Sequence, residues 1–359
     1  MKKYSTGSAF LLLALSAMIV SGCTLGPNAI TKDRFDYNAA ISDSWKTQML
    51  LNIVKLRYGD APIYLDVASV VNSYEVSGAT NLGASWTFNP SYQSGATAGV
   101  TGFFANRPTI SYSPLTGERF TRSMMTPLPP SSIFFLVQAG YPADAVFRAL
   151  VQSVNGIRNR YGGAGRNLPA DPQFYVLIKK LREIQDSGAL ELRVLKETNR
   201  EANLVVLGGN RDEKVEAQGR DVRNILGIDP QVREFKVVYG SIPSNDKEIA
   251  LLTRSVLQLV VDLASFVEVP DIHVEEKWVL PTLTEKSADG SPVPPMIRIH
   301  SGIQNPGDAF AAVPYQGHWF WIDNRDLQSK GTFSFLIFIF NLVDTGTKEG
   351  TPVITIPAR

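Results

Sequence analysis

Three histidines, His273, His300 and His318, hold most of the acid–base chemistry open to this chain, because histidine titrates near neutral pH. His318 is followed closely by Asp323 and Asp326, and a histidine with a carboxylate is the pairing that general acid–base catalysis uses. His273 precedes Glu275 and Glu276, whose oxygens are of metal-ligand type, yet no spacing here demands a metal. No metal site and no cofactor are expected. The phosphate-binding Gly-x-x-x-x-Gly-Lys, the Gly-x-Ser-x-Gly elbow and His-Glu-x-x-His are all absent. Gly162-Gly163-Ala164-Gly165 lacks the spacing of a dinucleotide loop and reads as a flexible segment.

Cys23 is the single cysteine of the 359 residues, so it is the only thiol. Two lysines, Lys2 and Lys3, precede an uncharged apolar run over 9–20, which ends in Val20-Ser21-Gly22-Cys23. A basic start, a short apolar stretch and small residues at the cut describe a secretory signal peptide over 1–22. The run is shorter than the roughly 20 residues of a spanning helix. Val20-Ser21-Gly22-Cys23 resembles the lipobox of bacterial lipoproteins. That resemblance implies that the Cys23 thiol is acylated, palmitate being one such chain, and that the chain is cut before it. More than one acyl chain makes anchoring stable. Thr24 and Leu25 follow where an Asp would favour inner-membrane retention, so the resemblance implies an outer-membrane anchor with a periplasmic body. A tether of 23–34, containing Gly26 and Pro27, joins lipid to fold.

Lysines and arginines number 35 against 34 acids, and loss of the leader removes two lysines. Such a balance gives no basic patch, and no nucleic-acid partner is expected. Hydrophobic residues make up 44% of the chain, enough to build a buried core.

Apolar residues at helical spacing, Ile41, Trp45, Met49, Ile53 and Leu56, predict an amphipathic helix ending near Tyr58-Gly59. Helices are also expected after Pro129-Pro130, from Pro142 to Gly156 with Val146, Phe147, Leu150, Val151 and Val154 on one face, from Asp171-Pro172 to Gly188, and over 215–226. A long helix is expected over 248–267, stopped by Pro270. Strands are expected at 190–195, 204–207, 235–239, 297–300, 309–313, 318–322, 333–340 and 353–356. Helices mixed with strands, without regular alternation of the two, predict an α+β fold with mostly antiparallel strands. The expected regions are 35–160, largely helical, and a C-terminal α+β domain over 168–359.

The most aromatic stretch runs from Tyr315 to Asp326, with a turn at 314–317. It sets His318, Phe320 and Ile322 on one face, and Trp319, Trp321 and Asp323 on the other. Such a strand packs in a core, or its tryptophans stack on sugar rings. This block, with Phe333-Ser334-Phe335-Leu336 and Val353-Ile354-Thr355-Ile356-Pro357, resembles the C-terminal part of an uncharacterised group of Gram-negative lipoproteins, a likeness that implies no activity.

Residues 67–113 differ in character: Glu75 and Arg107 are the only charges, and Gly, Ser, Thr, Ala and Asn dominate. Leu82, Ala84, Trp86 and Phe88 alternate with Asn81, Gly83, Ser85 and Thr87; Ala98, Val100 and Phe104 continue the alternation beyond a polar turn. The pattern predicts a Gly/Ser/Thr-rich β-hairpin inserted in the helical region. Strands of about ten residues with one apolar face suit a membrane barrel, and equally a soluble sheet with one wet face. One hairpin cannot close a barrel, so membrane insertion would require a ring of copies. Two functions therefore stand. The first is a lipid-anchored envelope protein, more a contact protein than an enzyme, acting through other envelope proteins or copies of itself, as in an outer-membrane assembly or pore. The second is an anchored enzyme or glycan-binding protein for cell-wall or polysaccharide substrate, using His318 with Asp323 or Asp326.

Overall fold

In a computed structural model, the chain is described over residues 27–71, 74–85, 95–106, 109–163, 168–197, 200–207, 213–282, 284–286 and 291–343. Cys23, Trp86, Phe88 and the strand expected at 353–356 lie outside these residues. The fold is α+β, with sheets that are mostly antiparallel. Two compact units divide it, Ile63–Thr116 and the remainder, here called the body. Helices on both sides of residues 160–168 pack on one sheet and on each other.

Helix α1, Pro27–Arg57, buries Met49, Leu50, Ile53 and Val54 along one stripe, and Gly59 at φ +76° ends it. The helix begins well before the expected 41, so the segment read as tether is helical from Pro27 onward.

The smaller unit holds strands β1 Leu65–Val71, β2 Tyr74–Ser85, β3 Gly95–Asn106 and β4 Thr109–Pro114. β1 pairs with β4 and β2 with β3, both antiparallel, from Leu65↔Pro114 to Ser85↔Gly95. Past a register shift between Val67 and Ser69, the two ladders keep a common register, Val71↔Thr109 and Tyr74↔Asn106. Leu115 N–H closes the base by donating to the Tyr64 carbonyl at 2.9 Å.

The body resumes with α2 Gly117–Phe120 and a π-helical turn, Thr121–Met125. α3 Pro130–Gln138 and α4 Ala143–Leu150 follow, then β5 Val151–Val154 and β6 Ile157–Arg158. The helix expected to reach Gly156 therefore stops at Leu150. Asn155 (φ +46°) and Gly156 (φ +84°) make the two-residue turn that hairpins favour. The Asn155 side chain reinforces the turn, donating to Leu226 O at 2.9 Å and accepting from Ala250 N–H at 2.7 Å.

α5, Pro172–Asp186, buries Phe174, Leu177, Ile178, Leu181 and Ile184, each worth about 1.5–3 kcal/mol. Asp171 precedes it as expected, but its carboxylate accepts from Arg158 rather than capping the helix. β7 Leu190–Glu197, β8 Arg200–Leu207, α6 Glu213–Leu226, β9 Glu234–Tyr239 and β10 Glu248–Thr253 complete the main sheet. Its order is β6-β5-β10-β9-β8-β7, with β9 and β10 its parallel pair.

The long helix expected over 248–267 is a buried strand, β10, followed by α7, Val256–Ala264. Ser255 starts α7 through a capping box with Gln258. After α8, Asp271–Glu275, a three-stranded antiparallel sheet forms from β11 His300–Gly302, β12 Ala309–Tyr315 and β13 His318–Asp323. Positive φ at Gln316 and Gly317 closes the β12–β13 hairpin at the expected place. The strand expected at 333–340 is instead helix α9, Leu327–Val343, burying Ser329, Phe333, Leu336 and Ile339. Asp326 starts it by accepting from Ser329 N–H (3.0 Å) and Oγ (2.7 Å), a cap that overrides the β-preference of its phenylalanines. No described helix is long and apolar enough to cross a membrane.

Candidate functional site

Within the body, the end of α1, the α8 turn and the β12–β13 hairpin bring Tyr58, His273, Trp278, Tyr315 and His318 together. His273 is buried, with Trp278 stacked on its ring at 4.7 Å and His318 edge-on at 4.7 Å. Tyr58 Oη lies 2.7 Å from His273 Nδ1. Burial holds the Tyr58 phenol protonated, its pKa pushed up to about 12, and phenol and imidazole share one hydrogen bond. Burial, and then the neighbouring His318, press the His273 pKa below its ordinary value, against a smaller opposite pull from Glu276. Both influences favour the neutral imidazole at His273. Tyr315 Oη donates to Asp60 at 2.6 Å and tilts against Tyr58 at 5.3 Å.

Beside this cluster, Arg57, Tyr58, Gly59, Val274, Lys277, Trp278 and residues 279–281 line a pocket of about 260 Å³. Lys277 adopts φ +62° at the end of the α8 turn, and Trp278 N–H returns to the His273 carbonyl at 2.9 Å. Neither Arg57 nor this pocket was anticipated from the sequence: a lone arginine closing a helix looks like ordinary C-terminal charge.

The acid–base set named from the sequence does not assemble. His318 and Asp323 occupy opposite ends of β13, roughly 17 Å apart at about 3.4 Å per residue. Asp323 accepts from Arg325 N–H at 2.7 Å, and Asp326 is committed to the α9 cap. His318 Nδ1 instead lies 3.4 Å from the Gln316 carbonyl. His300 pairs with Glu268 at 2.9 Å and tilts toward Trp321. The alternation of β13 is as expected, with Phe320 and Ile322 buried on the His318 side. Among the described residues, no group of three or more His, Cys, Asp or Glu side chains comes together in a way that would hold a metal ion.

Of the segment read as flexible, Gly162 is held in place, and Ala164 and Gly165 lie outside the described residues. Gly162 N–H donates to Asp262 Oδ1 at 2.7 Å, and a Cβ at Gly162 would lie 2.4 Å from Ser265 Oγ. Arg254 meets Asp262 Oδ2 at 3.2 Å; Arg160 donates to Ser265 Oγ at 2.6 Å and stands 3.7 Å from Glu285. These four buried charges tie the β6 end to α7.

In the smaller unit, backbone register sets Leu82 opposite Ala98, Ala84 opposite Ala96 and Phe104 opposite Val76. The described members of the apolar hairpin set, Leu82, Ala84, Ala98, Val100 and Phe104, therefore fall in one alternation class. Near the base, Ile63, Leu65, Ile110 and Tyr112 are exposed.

Compared with models of protein families, with curated proteins and with solved structures, the chain matches none.

Proposed function

We propose that this chain is a lipid-anchored protein of the bacterial outer membrane that works through protein contacts, its β-ribbon donated to an oligomeric assembly. The observation that carries this reading is the ribbon. Over twelve residues each, β2 and β3 pair with each other and, among the described residues, with no further strand. A two-stranded ribbon is marginal alone in water, and its outer edges are untenable in lipid. Twelve residues exceed the 9–11 that a membrane strand needs. Copies of the chain, each held at the membrane through Cys23, offer matching edges to one another and close a ring.

The test is detergent extraction of the full chain, followed by light scattering and electron microscopy, beside a variant lacking 67–113. A ring predicts a discrete oligomer that the deletion reduces to monomer. A monodisperse monomer, extracted equally well without the ribbon, refutes it. Cys23→Ser should abolish palmitate labelling and membrane retention.

A further inference from the structure

Four arginines are buried among the described residues: Arg57, Arg160, Arg223 and Arg254. Three of them face carboxylates, Arg160 with Glu285 and Asp262, Arg223 with Glu216 at 2.7 Å and Arg254 with Asp262. Arg57, only 2% exposed, does not. One of its terminal nitrogens donates to the Leu280 carbonyl at 2.5 Å, and its Nε is buried with no hydrogen-bond partner. The carbonyls at the end of α1 do not compensate it: those of Val54, Lys55 and Leu56 accept from Tyr58, Asp60 and Gly59 N–H groups. An uncompensated buried guanidinium is costly, and a carboxylate is the partner whose planar geometry fits its fork of donors.

Arg57 lines the 260 Å³ pocket described above, where the second charged residue is Lys277 and no acid is present. The rest of the lining, Val274, Trp278, Val279, Leu280 and Pro281, is largely apolar. We propose that this pocket binds an organic carboxylate, with the carboxylate on Arg57 and Lys277 and an apolar or aromatic group against Trp278 and Val274. The pocket is small, so the ligand is a small acid or the carboxyl end of a chain. The proposal is independent of the ribbon and its assembly.

The experiment titrates the full chain in detergent with phenylacetate, with phenylacetamide as the uncharged isostere, and with N-acetylphenylalanine as a mimic of a peptide end. Tryptophan fluorescence and thermal unfolding give the readouts, with Trp278→Phe identifying the signal that belongs to the pocket. Phenylacetate should bind at least about tenfold more tightly than phenylacetamide, as loss of one charge-assisted pair implies. Arg57→Gln should erase that preference. Lys277→Ala, at an exposed position, should weaken it about threefold or more without unfolding the chain, which keeps the test decisive if Arg57→Gln fails to fold. Tighter binding of N-acetylphenylalanine than of phenylacetate assigns the site to a chain end, and the reverse order to a free acid. Equal binding of acid and amide, tighter binding of inorganic phosphate than of either acid, or no response to phenylacetate overturns the proposal.

Discussion

Asp262→Asn tests whether the charges buried between β6 and α7 hold the body together. Asp262 Oδ1 accepts from Gly162 N–H at 2.7 Å and Oδ2 from Arg254 at 3.2 Å, while Arg160 stands 4.0 Å away. Asparagine keeps the shape and an oxygen for Gly162 but removes the charge. Arg254 is then left in the interior with backbone carbonyls alone, those of Arg148 and Ala149 at 3.3 Å and that of Arg160. Breaking a buried pair from one side costs about 3–5 kcal/mol. Asp262→Ala also orphans the Gly162 amide, which adds about 1–3 kcal/mol. Urea unfolding followed by circular dichroism reads both as a lower midpoint at an unchanged slope. Arg254→Met with Asp262→Leu should recover more than half of the loss, because an apolar pair of similar size has no charge to compensate. If Asp262→Asn unfolds within about 0.5 kcal/mol of the parent, the network does not hold the fold, and the reasoning fails. If Asp262→Ala is no worse than Asp262→Asn, the Gly162 bond contributes nothing.

Gly162→Ala forces a methyl group against Ser265, 2.4 Å from its Oγ, and should cost about 1–3 kcal/mol by thermal unfolding, with partial recovery in Gly162→Ala/Ser265→Gly. Because His273 has a lowered pKa in the fold, the unfolded chain takes up its proton first, so stability is intact above about pH 6.5 and declines as pH falls through that value. His273→Gln should flatten this decline in urea titrations between pH 5 and 7, and an unchanged slope would show that other groups cause it. Asn155→Ala should lose about 1–3 kcal/mol through the left-handed turn and two side-chain hydrogen bonds, while Asn155→Gly, which tolerates the same φ, should lose less. Equal losses would assign the whole effect to the hydrogen bonds.

The α+β class was legible because long segments carry one clear period: α5 keeps its apolar residues three and four apart, and β13 alternates. Errors arose where two elements abut without a break in hydrophobicity. Ile249 to Leu263 has a helical rhythm throughout, yet Arg254-Ser255 divides it, and only the Ser255–Gln258 capping box marks the join. Asn155-Gly156 is a strong hairpin signal that the apolar run around it concealed. In α9 the phenylalanines favour a strand, and the Asp326–Ser329 cap decides for helix. The clustering of Tyr58, His273 and His318 was beyond any sequence pattern, because it depends on segments more than 200 residues apart. Arg57 gave no signal, since what distinguishes it is a missing partner.

Closing the body takes contacts that are distant in sequence. α1 docks on segments far downstream: Arg57 reaches Leu280 across 223 residues, and Asp60 reaches Tyr315 across 255. Contacts so distant in sequence belong to slow-folding topologies, since the entropy of closing the loop is lost before any contact rewards it. In sequence, residues 63–116 separate the two halves of the body, and their ladders, from Ser85↔Gly95 to Leu65↔Pro114, pair locally without waiting for the rest. That local pairing holds Tyr64 and Leu115 together and so shortens the effective loop that α1 must close. The insertion thereby acts as an internal clamp during folding, an advantage to the body distinct from anything the ribbon does once folded.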